Sequence, residues 1–468
     1  MVSWKQQEVG SLEQAGKKRI ILTVSFVMAG MIVMFMNNSV INMLIPTLTK
    51  DLHISLDQAQ WLANGYIMVC GILVPPSAYL VRRFTYKQIF VTSQILFVIG
   101  SLLCALSAHF IPLLIGRLVQ SVGSGLAMPL ALNIITSVFP AEKRGAVMGV
   151  YGFGIILAPA LGPSIGGFVI QFYRWNILFW AMAVLELLIL IGTFFFLTLR
   201  NETEKIKFDV VGFILSAVGC AALLYAISER QIWLAVAAAM VLTIFVFYSL
   251  KRGEGALLDL RVFKEFNFSY ALIINIIFTA AMYSGMLLMP QYLQVVRGMS
   301  PLTAALLIMP GSLAMGIMGV FTGRIFDKHG IKALAIVGSV IMTTVTFLFS
   351  RLSMETSHSA IMLIYLIRAV GIAAVISPIA TAGLAKIVKE KIPHANAVTN
   401  TVKQIAGSLG SSAAVAVMTV SSSVYLSAHP AASALEIELH GINTAFLSVT
   451  ALSLAAVILS VFYRKIKR

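Results

Sequence analysis

A chain of 468 residues with 59% hydrophobic and only 11% charged side chains, at a mean hydropathy of +0.93, does not have the composition of a soluble globular protein. Its net charge of +16 is dispersed, with no basic cluster interleaved with stacking aromatics, which excludes a nucleic-acid groove. The three cysteines, Cys70, Cys104 and Cys220, all fall in apolar runs and suggest small core residues, neither a disulfide framework nor a metal cluster.

The first apolar run, about 20–45, follows Lys17-Lys18-Arg19 and is too long for the apolar region of a cleaved signal, so it stays as a helix. Apolar runs long enough to cross about 30 Å of hydrocarbon as helix follow at roughly 59–80, 89–107, 111–134, 146–170 and 177–198. Two more, 210–227 and 231–250, are separated only by Ser228-Glu229-Arg230 and Gln231. The last six are 268–292, 302–322, 333–350, 360–385, 402–424 and 442–463. The predicted fold is therefore an all-α integral membrane protein of 14 transmembrane helices, with both termini on one side and no room for a sizeable soluble domain.

Charge tests this count independently, because Lys and Arg collect in loops on the cytoplasmic side. Of the 34 Lys and Arg, 27 lie on the side that the termini share. Five lie opposite (Lys50, Arg174, Arg230, Arg297 and Arg351), and Arg117 and Arg368 lie within helices. Both termini are expected in the cytoplasm, with the chain in the plasma membrane and its basic loops against anionic lipid.

An internal repeat appears at an offset of 245, which lays Ser55 to Ala59 (SLDQA) on Ser300 to Ala304 (SPLTA). The same register lays Ser77 to Lys87 (SAYLVRRFTYK) on Thr322 to Lys332 (TGRIFDKHGIK), and Arg117 and Arg368 follow at offset 251. This organises the chain as a six-helix bundle in 1–200, two inserted helices and a linker in 201–265, and a second, parallel six-helix bundle in 266–468. Such an architecture is that of a transporter whose halves rock about a site between them.

Within the fifth run, Gly154, Ala158, Gly162 and Gly166 recur every four residues and make one small-residue stripe for close helix approach. Pro159 and Pro163, also four apart, each remove a backbone donor and predict a bend, and Gly167 ends the stretch. Arg117, about six residues into the fourth run, needs a protein or water partner, and Gln120 lies one turn along on its face. Arg368, its repeat mate, reads either as a functional charge or as a lock onto backbone carbonyls. Glu186 is the one acid deep within a run, where it reads either as a coupling carboxyl that loads and releases a proton or as a neutral, water-connected group.

The order and spacing of Asn37 to Pro46 (NNSVINMLIP), Trp61 to Tyr66 (WLANGY), Gly116 to Gly125 (GRLVQSVGSG), Pro140 to Val150 (PAEKRGAVMGV), Gly154 to Gly167, Lys207 to Phe213 (KFDVVGF), Pro290 to Gln294 (PQYLQ) and Gly323 to Gly330 (GRIFDKHG) carry a resemblance. The chain resembles the major facilitator superfamily, in its fourteen-helix drug:proton antiporter branch and the multidrug and lincomycin-efflux-like subgroup, over nearly its whole length. The resemblance implies an antiporter hinge at Gly154, Ala158, Pro159, Gly162, Pro163, Gly166 and Gly167, where the halves meet near the outer side. It implies ion coupling through Arg117 and Gln120, with Glu186 added from its position, and cytoplasmic gating loops at Arg82, Arg83, Gly323, Arg324 and Asp327. The first loop departs from the superfamily pattern, with Ala78, Arg82 and Thr85 where glycine, aspartate and glycine are usual; the second retains Gly323, Asp327 and Gly330. Asn37 stands where many relatives have an aspartate, and an amide carries no proton.

A substrate path between the halves is expected near Asn37, Asn38, Asn42, Tyr66, Asn133, Asn275, Tyr283, Gln291, Tyr292 and Gln294. Its 22 methionines suit an adaptable apolar pocket. The function expected is export of lipophilic or cationic drugs or antibiotics in exchange for protons by alternating access, by a monomer that uses an ion gradient and no cofactor or metal. Sodium-coupled or uncoupled export of an amphipathic metabolite or lipid is the nearest alternative, and a receptor or scaffold without transport the more distant one. No nucleophile, base and orienter set marks an enzyme, and no GxxxxGK[ST] phosphate loop marks an ATP-driven pump.

Overall fold

The structure, a computed structural model, describes residues 2–73, 76, 79–80, 83–138, 158, 161–197, 203, 208–228, 231–388 and 391–463, with side chains from Ile21 onward. Among these residues it is all helical, with fourteen helices. They are α1 Val2–Asp51, α2 Leu56–Leu73, α3 Tyr86–Leu106, α4 Phe110–Val138, α5 Leu161–Phe172, α6 Asn176–Phe196, α7 Val210–Ser228 and α8 Ile232–Arg252. The second set is α9 Phe266–Gln291, α10 301–329, α11 Gly330–Phe349, α12 His358–Leu384, α13 Ile392–Ala428 and α14 Ala434–Phe462. Eleven are long and apolar enough to cross a membrane; α5 and α7 are shorter apolar helices, and α2 carries Asp57, Gln58, Gln60 and Asn64 in its first half. Helix α13 begins at Ile392, ten residues before the predicted run, so Lys403, at the start of that run, lies about three turns into the helix.

Short polar residues set the starts of five helices, whereas α6, α8, α9 and α13 begin at Trp175, Gln231, Glu265 and Lys391 with no side-chain cap. Ser55 with Gln58, Thr85 with Gln88 and Ser433 with Glu436 each form a reciprocal capping pair, and Ser300 and Ser357 cap α10 and α12. Ser55 and Ser300, repeat mates by sequence, thus do the same job at the starts of α2 and α10. The next pair differs. Gly330 takes φ 73° and breaks α10 from α11, while Thr85 at the matching position is an extended N-cap of α3. A capping pair replaces a glycine turn, which gives the departure at Thr85 a physical reason.

Two large apolar cores form, with a smaller third where Phe245 of α8 and Leu258, Leu260 and Val262 of the linker meet Phe268, Ile387 and Val398. One gathers side chains from Val24 to Leu197 and the other from Ala271 to Tyr463; Met43 of α1 belongs to the second, and Leu287 and Val415 to the first. The halves therefore interlock. Helix α2 crosses α13 along most of its length, from Asn64 against Ser408, Ser411 and Ser412 to Gly71, where a Cβ would meet Gln404 at 2.8 Å. Inserted helix α7 leans on α13 and α2, while α8 leaves much of its apolar surface exposed, Trp233 at 85%. At the end shared with the termini, Asp209 fastens this pair by accepting from Gly212 N, Leu257 N and the Tyr248 hydroxyl, with Arg252 at 3.5 Å. Nearby, hydrogen bonds from Arg261 hold the Asp259 carboxyl below the usual carboxylate range.

Candidate functional site

Glycines bring α3 and α4 together. A Cβ on Gly116 would sit 2.8 Å from Cys104 N, and one on Gly123 would sit 2.4 Å from Ser93 O. That approach packs a polar cluster into the N-terminal bundle. The Arg117 guanidinium, wholly buried, donates through Nε to Leu62 O at 3.1 Å and through Nη1 to Gln120 Oε1 at 3.0 Å, and lies 4.3 Å from the Tyr66 ring centroid. Gln120 also accepts from Asn37 Nδ2 at 3.2 Å and donates to Ser101 Oγ at 2.7 Å. No carboxylate pairs with Arg117 among the described residues. Amide, carbonyl and ring dipoles hold a charge whose burial otherwise costs several kcal/mol. Nη2 of Arg117 and Oδ1 of Asn37 have no hydrogen-bond partner.

Glu186 of α6 is fully buried and points into the same bundle, not toward lipid. Its carboxylate abuts Gly30 of α1, where a Cβ would come within 3.2 Å of Oε1, with Gln94 of α3 alongside at 3.4 Å from that position. Neither Glu186 oxygen, nor either Gln94 side-chain polar atom, makes a hydrogen bond. Gly30 lies seven residues before Asn37 on α1, and Gln94 seven before Ser101 on α3. Two polar layers therefore stack on the same helix faces, about 10 Å apart.

Between the halves lies a cavity of about 170 Å³. Its polar lining comes from Asn38, Ser39 and Asn42 of α1, Tyr283 of α9, Ser312 of α10, Tyr365 and Arg368 of α12, and Gln404 of α13. Met43, Met282, Met286 and Met315 supply soft apolar wall. Arg368, 3% exposed, donates to Ala281 O at 2.5 Å and to Thr346 Oγ1 at 3.3 Å. Its Nη1 occupies the place a Cβ on Gly285 would need, 2.5 Å away. The guanidinium is thus locked onto a backbone carbonyl and also faces the cavity.

The small-residue stripe of the fifth helix packs on α1. A Cβ on Gly162 would fall 1.9 Å from Ser39 Oγ, and one on Gly166 3.1 Å from Val40 Cγ1; Ala158 is buried and Pro163 lines the cavity. Gly167 faces the other half, where a Cβ would sit 2.6 Å from Pro301 O and 2.9 Å from Ala305 Cβ. Beside it, Gln294 Nε2 donates to Met43 O at 3.1 Å. These contacts join the halves at the end away from the chain termini, called the outer end below.

Of the residues placed on the path by sequence, Asn38, Asn42 and Tyr283 line the cavity. Asn37 and Tyr66 belong to the Arg117 cluster. Asn275 donates to Ile376 O, Gln291 is buried outside the cavity lining, Tyr292 donates to Ser353 O, and Gln294 serves the outer contact. Arg83 is exposed, over Phe84. Arg82, Gly154 and Pro159 lie outside the described residues, as do the side chains of Asn133, Arg324 and Asp327 and the surroundings of Gly323. Sequence reasoning missed Tyr365, Ser312 and Gln404 as lining residues and the Asn64 serine cluster. A signal existed for two of these, since Tyr365 lies three residues before Arg368 and the run GSLGSS (Gly407 to Ser412) offers one small polar face. All three cysteines are free and buried.

Residues 27–411 match the family described as Major Facilitator Superfamily. The MFS-type transporter YhcA of Bacillus subtilis is 38% identical over 394 residues, which cover 82% of this chain and 74% of YhcA. The lincomycin resistance protein LmrB of Listeria monocytogenes is 33% identical over 414 residues, 86% of this chain and 88% of LmrB. Among solved structures, a bacterial homolog of the human lysosomal transporter Spinster, in an inward-facing and unoccupied conformation, superposes with a TM-score of 0.69 at 13% identity, covering 95% of this chain and 97% of that one.

Proposed function

This chain belongs to the major facilitator superfamily, and on that footing we propose that it exports lipophilic drugs or antibiotics across the plasma membrane in exchange for protons. The observation that carries this reading is one cavity walled by both six-helix halves, with the halves in contact at its outer end through Gly167 and Pro301 and through Met43 and Gln294. A site that two bodies share, closed toward one face, suits alternating access. The similarity to a lincomycin resistance protein supports an antibiotic among the substrates.

Proton coupling is assigned to the N-terminal bundle. Glu186 is the acid, protonated in one state of the cycle and ionised in the other, when its proton passes to water and the Gln94 amide donates to the carboxylate. The Asn37, Gln120 and Arg117 layer two turns along α1 supplies the fixed positive field that an arriving proton changes. Separation of the coupling acid from the cavity means that substrate and proton communicate through movement of α1, which carries both Gly30 and Asn38.

The test is purified protein in liposomes with an imposed pH gradient, followed with lipophilic fluorophores of either charge. Uptake that collapses with the gradient, and in Glu186→Gln, is the expected result. Uptake that follows sodium instead, or that runs down the substrate gradient alone with wild-type rates in Glu186→Gln, overturns proton exchange and leaves an exporter of another kind.

A further inference from the structure

The lining of the cavity has a sign. Among its described residues there is one full charge, the Arg368 guanidinium, and no carboxylate. Glu186, the acid deepest in a helix, sits on the far side of α1 against Gly30 and Gln94.

The way Arg368 is held makes that charge available. Ala281 O and Thr346 Oγ1 take Nη2 and Nε, which fixes the plane of the guanidinium without neutralising it. Nη1 rests over the bare backbone of Gly285, and any side chain there would displace it. A charge-assisted pair is stronger than a neutral hydrogen bond, and the uncompensated fork of Arg368 offers one to an acceptor that enters the cavity. A cation in the same space would meet a like charge in low dielectric with no counter-ion to offset it.

Resting on the export reading above, we infer that the transported molecule is an amphipath with an anionic head, a carboxylate, sulfonate or phosphate, which docks on Arg368 among Tyr365, Tyr283 and Asn38. Its apolar body lies against the four methionines. This replaces the lipophilic cation expected from composition. Arg368 is a specificity-determining residue, and Gly285 positions it.

The deciding experiment uses three probes on one ring: naphthalene-2-sulfonate, the neutral naphthalene-2-sulfonamide and a (2-naphthylmethyl)trimethylammonium salt. Binding to the full chain in phosphatidylcholine nanodiscs, and uptake into proteoliposomes, are measured for wild type, Arg368→Gln and Arg368→Lys. In wild type the sulfonate is expected to bind about tenfold or more tighter than the ammonium, with the sulfonamide between. Arg368→Gln should remove that advantage while sulfonamide binding stays within about twofold, and Arg368→Lys, which keeps the charge and loses the fork, should keep the sulfonate ahead of the ammonium by a smaller factor. An ammonium bound as well as the sulfonate in wild type overturns the inference. So does a sulfonate advantage that survives in an Arg368→Gln protein still able to bind the sulfonamide. Should Arg368→Gln not fold, the wild-type series and Arg368→Lys decide. Movement of all three probes without charge preference sinks the anionic head and leaves export standing; sulfonate-selective binding without movement of any probe does the reverse. A repeat with phosphatidylglycerol in the bilayer separates sources: competition there identifies the head as that of a membrane lipid, and its absence identifies a soluble amphipath.

Discussion

Arg117 and Arg368 occupy matching places on α4 and α12, yet their surroundings have diverged. In the N-terminal half the guanidinium is walled in by Tyr66, Leu62 and Gln120, and the cavity does not reach it. In the C-terminal half a glycine at 285 and a hydroxyl at Thr346 leave its mate on the cavity wall. Duplication gave two equal charges, and local packing gave them different work. In the proposed cycle one half changes its protonation and the other meets the substrate, so a single rocking motion can link the two.

The largest effect that could break this division is expected from Arg117→Ala. It strips a donor from Leu62 O and from Gln120 and leaves a void, so transport of every substrate should fall by about a hundredfold or more, with a lowered melting temperature in detergent. Were Arg117→Ala to lose only anionic substrates, the two arginines would share one task and the division would fail. Glu186→Gln comes next. Gradient-driven transport should drop about tenfold or more while substrate affinity, read by equilibrium binding, stays within about twofold. Gly285→Ala sharpens the comparison from the other side, because the new methyl must push Arg368 Nη1 aside. Affinity for anionic probes should weaken several-fold, with the pH dependence of transport unchanged.

Smaller effects test the contacts between halves. Asn64→Ala removes the side-chain bonds to Ser411 and Ser412 and leaves the bond from Ser408 to the backbone carbonyl at 64, but Ser411 already donates to Gly407 O and Ser412 can turn to its own helix. A loss of about 1 kcal/mol, seen as a melting shift of a few degrees, is expected. The smallest concerns Asp259. Its carboxyl is held below the unfolded value of about 3.9, so it contributes stability at all higher pH and loses it only as pH falls further. Thermal unfolding between pH 5 and 8 should therefore be insensitive to Asp259→Asn in slope, though not in level.

Most of the fold was legible because the bilayer demands long apolar helices and the starts of several helices are marked by short polar residues. Ser55, Thr85 and Ser300 stand within four residues of a start read from the sequence, while Ser433 caps the last helix nine residues before the run read from 442, because the polar first turns of that helix carry no apolar signal; the repeat register placed Ser55 on Ser300 before either was seen as a cap. The site was legible in part. Arg117 with Gln120 follows from one-turn spacing on a single helix, whereas the Glu186, Gln94 and Gly30 layer joins three helices, and no spacing within one run reveals it. Tyr292 and Gln294 looked like path residues because polar side chains in apolar runs face protein, but protein includes the outer contact as well as the cavity. Thr85 looked like a defect in a loop motif, and is a functioning cap.

The outer contact itself is made from a glycine, a proline carbonyl, an alanine methyl, a glutamine and a methionine, with no ion pair among the described residues at that point. A seal of that kind has no charge for salt to screen and no group that titrates in ordinary media. Brine or acid at that face would leave its strength unchanged, and the vulnerability that remains is an oxidant: a sulfoxide on Met43 would place a bulky polar oxygen in the seam, turning a chemical stress at that face into a leak between the halves.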